Sequence, residues 1–144
     1  MLDTCVYIDV LQGRTTAEVD GLLSLRIVNH SIVALSELTH LFGRLDPTHP
    51  GTRGVLAELT GLIDDIPGHR LFSPTARASG EAGMLAGLAA RLAKRPAGIE
   101  LLNDALLLLH ATEHGCQLLT RNLADFDLLQ QLVPQAEVIF YHAA

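Results

Sequence analysis

The sequence predicts an α/β fold in three layers, with a central, mainly parallel sheet flanked by helices. Short segments rich in β-branched or apolar residues alternate along the chain with segments of helical periodicity. Strands that alternate with helices build a mainly parallel sheet with both faces covered. The length of 144 residues fits a single domain, 1–144. With 49% hydrophobic and only 18% charged residues, a disordered chain is excluded.

In the first half of the chain, the pattern predicts strands at 1–4 and 26–33 and helical segments at 6–11, 15–25, 36–45 and 52–66. Thr15 to Glu18 has the hydroxyl-then-acid spacing of a capping box, which opens a helix. The segment 26–33 is rich in β-branched residues, as strands are. Asp46 and Pro47 end the third of these helices, because the residue before a proline avoids the helical conformation.

In the second half, the pattern predicts strands at 70–72, 116–120 and 137–141 and helices at 73–94, 103–114 and 123–132. Gly115 follows the second of these helices and is the predicted C′ residue. The helix 73–94 contains four small residues whose spacing lets a neighbouring helix or a second chain approach closely: Ser79, Gly80, Gly83 and Gly87. This pattern favours a homodimer or a docked partner helix.

The charge and the cysteines limit the class of protein. The net charge of −6 argues against a protein that only coats nucleic acid, because contacts to phosphates supply most of that affinity. The longest apolar run, Ala105 to Leu109, is too short to span a bilayer, and no basic segment of a signal peptide is visible. Cys5 and Cys116 are expected to be two thiols in a reducing compartment. We therefore expect a cytoplasmic protein.

Polar side chains collect at one predicted edge of the sheet. Open α/β sheets bind ligands beyond the carboxyl ends of their strands. Four separate segments place an acid, an amide or a hydroxyl there, and the candidate catalytic residues are Asp3, Glu37, Asp104, Thr120, Asn122 and Asp125. Taken singly each has an ordinary explanation; Asp104, for example, suits the first turn of a helix.

Taken together, the carboxylates predict a metal ion. Two like charges about 4 Å apart repel by about 4 kcal/mol at an effective dielectric constant of about 20. A cluster of three or four carboxylates therefore needs a cation, and hard oxygen ligands select Mg²⁺ or Mn²⁺. The predicted metal ligands share a carboxylate: Asp3, Glu37, Asp104 and Asp125.

The segments that contain these residues resemble the PIN-domain family. The opening 1–8 (MLDTCVYI), the glutamate segment 36–38, the Asn-Asp-Ala segment 103–108 and the ending 118–126 (LLTRNLADF) are similar to the family's motifs in order and spacing. The resemblance spans nearly the whole chain, and the nearest subgroup is the VapC toxins of bacterial toxin–antitoxin pairs.

The resemblance implies a PIN-like fold and an enzyme, a Mg²⁺- or Mn²⁺-dependent endoribonuclease that hydrolyses RNA phosphodiester bonds as the toxin of such a pair. It also implies an antitoxin protein as partner. In this interpretation Asp3 and Asp104 hold the main ion, and Glu37, Asn122 and Asp125 complete the site or hold a second ion. Thr120 would orient a carboxylate or a metal-bound water, and Arg121 would meet a phosphate oxygen.

Two positions depart from the family pattern. Cys5 stands where the family usually has an asparagine that orients the first aspartate. Asn122 stands where many members have an aspartate, with Asp125 three residues on. The first departure keeps open a second interpretation, a non-catalytic PIN-like module that only binds a protein. A receiver-like domain fits poorly, because Asp3 has no adjacent acid and Lys94 is the only lysine.

Residues 110–114 (HATEH) form the H-x-x-E-H pattern of one class of zinc peptidases. At about 100° per residue, His110 and His114 lie about 120° and about 80° around the helix from Asp104, on a different face. Only 30 residues follow, and Glu137, the one later glutamate, falls in a predicted strand. A solvated helix end is the expected role of these histidines.

Overall fold

Helices dominate the structure, a computed structural model that describes all of residues 1–144. The seven α-helices are α1 (Thr4–Leu11), α2 (Ala17–Leu25), α3 (Ile32–Arg44), α4 (Thr52–Asp64), α5 (Ala76–Leu92), α6 (Ile99–Glu113) and α7 (Leu123–Leu132). The strands have only two or three residues each: β1 (His30–Ser31), β2 (Leu71–Phe72), β3 (Leu118–Thr120) and β4 (Val138–Phe140). A short 3₁₀ turn, Gly68–Arg70, leads into β2.

The predicted three-layer fold with a central, mainly parallel sheet is wrong. The strands form two separate parallel pairs, β1 with β2 and β3 with β4. The opening segment reaches β3 only through an isolated bridge between Leu2 and Leu119. The fold is therefore mainly helical, with two short two-stranded sheets in place of one multi-stranded sheet.

The loss of the predicted strand 26–33 has a local cause. Ser31 is the N-cap of α3, and its Oγ accepts a hydrogen bond from the backbone N–H of Val33 at 3.1 Å. A serine cap satisfies a donor that a helix otherwise leaves unpaired, so the helix begins at Ile32. The β-branched residues Ile32 and Val33 consequently lie in the first turn of a helix, and only His30 and Ser31 remain in a strand.

Two helix starts differ from the prediction in a way that matters for the candidate site. Helix α3 begins at Ile32 rather than Ser36, and α6 begins at Ile99 rather than Asn103. Glu37 and Asp104 therefore both lie in the second turn of their helices. The macrodipole acts mainly within the first turn, so it does not explain an acid at Asp104.

Two groups of buried apolar side chains form the interior. The first group has 15 buried residues, mostly from α5, α6 and α7, and includes Leu118. The second group has nine, mostly from the opening segment, α1 and α3, and includes Leu119. Since successive side chains of a strand point to opposite faces, the adjacent residues Leu118 and Leu119 place β3 between the two groups.

Helix α5 packs against the interior through alanines rather than glycines. Its buried side chains are Ala78, Ala82, Ala86, Ala89 and Ala90. A methyl group added at Gly80, Gly83 or Gly87 would meet no atom within 4 Å, and Met84 beside them is 71% exposed. Close packing inside the chain therefore does not require these glycines, and their face of α5 is open.

Two further features bear on the predicted compartment. None of the helices combines the length and the apolar character needed to cross a bilayer. Cys5 and Cys116 are both free thiols and both half-buried. The expectation of two thiols rather than one disulfide agrees with this arrangement.

Candidate metal centre

The four predicted carboxylates interact with one another in the structure. The pKa of Asp104 is raised from 3.8 to about 8, mainly by burial and additionally by the negative charges of Asp3, Asp125 and Glu37. An amide links two members of this set, because Nδ2 of Asn122 donates to Asp104 Oδ2 at 3.1 Å and to Asp125 Oδ2 at 3.0 Å. We call Asp3, Glu37, Asp104 and Asp125 the acid cluster.

Asp3 is buried at the junction of the opening segment with β3, with 5% of its surface exposed. It occupies the N-cap position of α1, yet its side chain makes no capping hydrogen bond. Instead, Oδ2 accepts hydrogen bonds from Thr120 Oγ1 at 2.6 Å and from Cys5 Sγ at 2.9 Å. Both bonds use the same oxygen, so Oδ1 is left without a protein donor.

Cys5 supplies a donor at the position where the resemblance implies an asparagine. Burial raises the pKa of the Cys5 thiol to about 12, with a further contribution from the charge of Asp3. The thiol is therefore protonated at neutral pH and donates to Asp3. Its sulfur also accepts from the backbone N–H of Arg121 at 3.4 Å, which connects α1 to the loop after β3.

Glu37 lies where α1, α3 and α6 meet. Thr4 Oγ1 donates to one of its carboxylate oxygens, and Asn103 Nδ2 donates to the other at 2.8 Å. The side chain is half-buried. These two contacts fix the orientation of the carboxylate, and neither was predicted from the sequence.

Asp125 is held between an amide and a guanidinium. Burial acts to raise its pKa, but hydrogen bonds from Asn122 and Arg95 and the charge of Arg95 lower it overall. Its backbone N–H donates to Asn122 Oδ1 at 3.4 Å, so Asn122 caps α7 while its amide group joins Asp125 to Asp104. Thr120 Oγ1 in turn accepts from the backbone N–H of Asn122 at 2.9 Å.

Arg121 does not face the acid cluster as a free cation. Its Nε forms an ion pair with Asp9 Oδ2 at 2.8 Å. Asp9 is fully buried and also contacts Arg14 at 2.8 Å and the hydroxyl of Tyr141 at 2.7 Å. This guanidinium thus neutralises a buried acid, and its contact with a phosphate oxygen stays a prediction.

The histidines of the HATEH segment are arranged differently from the expected solvated helix end. His110 is fully buried, and His110, Glu113 and His114 each place one ligand atom within 4.8 Å of the others. The carboxylates of the acid cluster do not converge this tightly. Helix α6 thus contributes to two separate groups, with Asp104 in the acid cluster and His110 and Glu113 in a second group with His114.

The raised pKa of Asp104 predicts a pH dependence of stability. In the folded state Asp104 keeps its proton up to about pH 8, whereas in the unfolded chain it releases the proton above about pH 4. The contribution of Asp104 to the free energy of unfolding therefore falls as the pH rises from about 4 to about 8. Mn²⁺ at millimolar concentration should reverse the loss at about pH 8, raising the melting temperature on the order of 5 °C. Thermal melts of wild type and Asp104→Asn, with and without Mn²⁺, measure both effects.

Without Mn²⁺, the Asp104→Asn variant should be more stable than wild type at about pH 8. Addition of Mn²⁺ should raise its melting temperature only slightly. The quantity to follow is the difference between wild type and variant, because other groups titrate in both. The raised pKa of Asp104 would be contradicted if the difference in stability between wild type and Asp104→Asn stayed constant from about pH 4 to about pH 8. The metal site would be contradicted if Mn²⁺ raised both melting temperatures equally.

No family model and no curated protein matches the chain. Solved structures do share its fold. It is similar to a chain of VapBC2 from Rickettsia felis bound to a DNA fragment from their promoter, with a TM-score of 0.68 and 16% identity over 99% of this chain and 98% of that one. It is also similar to a chain of FitAcB from Neisseria gonorrhoeae, with a TM-score of 0.68 and 19% identity over 97% and 95%. For FitAB bound to an IR36 DNA fragment, the TM-score is 0.70 and the identity 17% over 96% and 92%.

These comparisons correct the family and function implied by the resemblance. At 16–19% identity they show a common fold alone. Membership of the PIN-domain family as a VapC-like toxin is not upheld, because no family model matches and the implied central sheet is missing. The RNA-cleaving toxin function and the alternative of a non-catalytic PIN-like module rested on that membership and are withdrawn with it. The nucleic acid named for two of the similar complexes is DNA.

Proposed function

We propose that the acid cluster binds Mg²⁺ or Mn²⁺ and that the chain is a metal-dependent hydrolase of phosphodiester bonds. The observation that supports this proposal is the position of Asp104, which is partly buried, is joined to Asp125 through the amide of Asn122 and feels the negative charges of Asp3 and Glu37. Arg95 pairs only with Asp125, so holding the other three acids together is costly, whereas a divalent cation offsets their repulsion. Oxygen ligands of this type select a hard cation.

The residues around the acid cluster suit a bound cation. Asp3 Oδ1 has no protein donor, and the proton on Asp104 is one that an ion would displace. Thr120, Asn103 and Asn122 hydrogen-bond the carboxylates and orient them, as outer-shell groups do around metal ligands. When bound, the ion would activate a water and stabilise charge on a phosphate.

An open groove beside Glu37 offers a place for a phosphate-containing substrate. It runs between α1, α3 and α6, and its polar lining includes His40, Arg44 and Asn103. Arg44 lies in the last turn of α3, within the groove rather than in an ion pair. A guanidinium at this position can pair with a phosphate oxygen while the ester lies toward the acid cluster.

The proposed activity is tested with a generic phosphodiester, bis(p-nitrophenyl) phosphate, in the presence of Mn²⁺. Glu37→Gln should lower the rate at least about tenfold, because the variant loses a charge at the ion and keeps the shape of the side chain. Glu58→Gln, which changes an exposed acid of α4, should keep the wild-type rate. Hydrolysis that is independent of Mn²⁺, or unaffected by Glu37→Gln, would contradict the proposal.

We also infer a protein partner, as in a toxin–antitoxin pair, and assembly on DNA with that partner. The support is that all three similar structures are complexes, and two of them contain DNA. An acidic chain is poorly suited to bind DNA alone, so the partner would supply the basic surface. Two free thiols suit the reducing cytoplasm, where we place this assembly.

The open face of α5 is the proposed contact surface between two copies of the chain. Met84→Asp should abolish self-association, because it places a charge in the centre of an apolar contact. Sedimentation velocity of wild type and variant measures this. Val55→Asp, at an exposed position of α4, is the control and should associate as wild type does. A wild type that stays monomeric at high concentration, or a Met84→Asp variant that still dimerises, would contradict it.

A further inference from the structure

The last turns of α6 carry two imidazoles and a carboxylate on one face. His110, Glu113 and His114 have the relative positions i, i+3 and i+4, which are neighbours on a helix surface. One nitrogen of each histidine and one oxygen of Glu113 all lie within 4.8 Å of one another. The two imidazole rings meet edge to face, with their centroids 4.7 Å apart.

His110 has a buried nitrogen without a partner. Its Nδ1 lies 2.8 Å from Ser31 Oγ, and its Nε2 is buried and makes no hydrogen bond. Buried polar atoms in proteins are almost always satisfied, so an unpaired one requires an explanation. A serine oxygen can accept from both the N–H of Val33 and the Nδ1–H of His110, and this arrangement leaves a lone pair on Nε2.

Hydrogen bonds to neighbouring groups determine which lone pairs of His114 and Glu113 remain free for a metal ion. His114 Nδ1 lies 3.0 Å from the carbonyl oxygen of His110. A carbonyl only accepts, so Nδ1 carries the proton and Nε2 carries the lone pair. The carboxylate of Glu113 accepts from the N–H and the hydroxyl of Thr75 at 3.1 and 2.7 Å, and each oxygen keeps a further lone pair.

We propose that His110, Glu113 and His114 bind a transition-metal ion of the zinc class. Two imidazoles and one carboxylate are ligands that zinc accepts, whereas Mg²⁺ prefers oxygen ligands alone. Each ligand already has the outer partner that metal-binding histidines and carboxylates usually have: Ser31, a backbone carbonyl and Thr75. The ion gives the unpaired Nε2 of His110 its missing partner.

This site is separate from the acid cluster and serves a different part of the chain. His110 is six residues beyond Asp104, which is about 9 Å along the helix axis. Through Ser31 and Thr75 the bound ion would connect the end of α6 to the N-caps of α3 and α5. Three protein ligands leave a fourth position for water or for a ligand from another molecule.

The proposal is tested by titrating the full chain with Co²⁺ in the presence of excess Mg²⁺. Co²⁺ bound to nitrogen ligands absorbs visible light, which reports binding at the histidines. The excess Mg²⁺ saturates the acid cluster. We expect one Co²⁺ per chain, displaced by Zn²⁺. His114→Ala and Glu113→Gln should each weaken binding at least about tenfold. Asp104→Asn and His69→Ala, an exposed histidine elsewhere, should bind as wild type does.

Three results would overturn the proposal: no visible Co²⁺ band in wild type, unchanged binding by His114→Ala, or an equal loss in His69→Ala. Circular dichroism of each variant ensures that a folded chain is compared. His114 and Glu113 reach solvent, so their replacement tests the site without the buried cavity that a change at His110 would open. The result is independent of the acid cluster, since Asp104→Asn is expected to keep the Co²⁺ site.

Discussion

Asp104→Ala should abolish Mn²⁺-dependent hydrolysis and Mn²⁺ binding at the acid cluster while the protein remains folded, and Asp3→Ala should do the same. Both residues would act by holding the ion rather than by transferring protons, so removing either ligand removes the ion and with it the reaction. The fold should survive Asp104→Ala because burial and the neighbouring negative charges disfavour the ionised Asp104 carboxylate in the folded chain. Isothermal titration with Mn²⁺ and the hydrolysis rate of bis(p-nitrophenyl) phosphate measure the two losses.

Two pairs of variants sharpen this test. Asp125→Ala should reduce the rate more than Asn122→Ala, because a lost charge matters more than a lost amide beside a divalent cation. His114→Ala should hydrolyse at nearly the wild-type rate, since His114 lies outside the acid cluster. If His114→Ala is inactive and Asp104→Ala is active, the ion that supports hydrolysis is at the histidines and the proposed function is wrong.

Asp9→Ala should destabilise the chain by about 3–5 kcal/mol, the largest effect on stability that we expect from one substitution. Asp9 is fully buried, and its carboxylate is shared by Arg14, Arg121 and the hydroxyl of Tyr141. Removing the carboxylate leaves two guanidinium groups close together without their counter-charge. Urea unfolding followed by circular dichroism measures the change in the free energy of unfolding.

The control for this experiment is Asp127→Ala. Asp127 is exposed on α7 and accepts one hydrogen bond, from Gln131 at 2.9 Å. Its replacement should change the free energy of unfolding by less than about 0.5 kcal/mol. Equal unfolding midpoints for the two variants would show that the ion pairs around Asp9 add nothing to stability.

The helices could be predicted from the sequence more fully than the strands. Helix α7 has the predicted bounds 123–132, and Gly115 has the positive φ of +60° expected of a C′ glycine. Helix α2 forms where predicted, but its N-cap is Thr16, one residue after the Thr15 of the predicted capping box. These features depend on neighbours in sequence. Strand pairing depends on distant segments, so β-branched composition alone did not reveal that Ser31 would begin a helix.

The candidate site shows the same division. Its carboxylates could be identified from the sequence because they follow predicted strands or begin predicted helices. In the structure the charges of Asp3, Asp125 and Glu37 raise the pKa of Asp104. The partners that hold them come from elsewhere in the chain: Arg95 reaches Asp125 across 30 residues, and Asn103 reaches Glu37 across 66. No local pattern predicts such contacts. Asp9 was missed for the same reason, since its partners Arg121 and Tyr141 lie more than a hundred residues away.

The position of β3 between the two groups of buried side chains has a consequence for local opening. Leu118 belongs to the first group and Leu119 to the second, while Thr120 holds Asp3. A fluctuation that releases β3 must therefore disturb both groups and the acid cluster at once. In native-state hydrogen exchange the amides of Leu118 and Leu119 should exchange only through global unfolding, whereas α4, which buries only Thr52 and Leu59, should open separately at a lower cost in free energy.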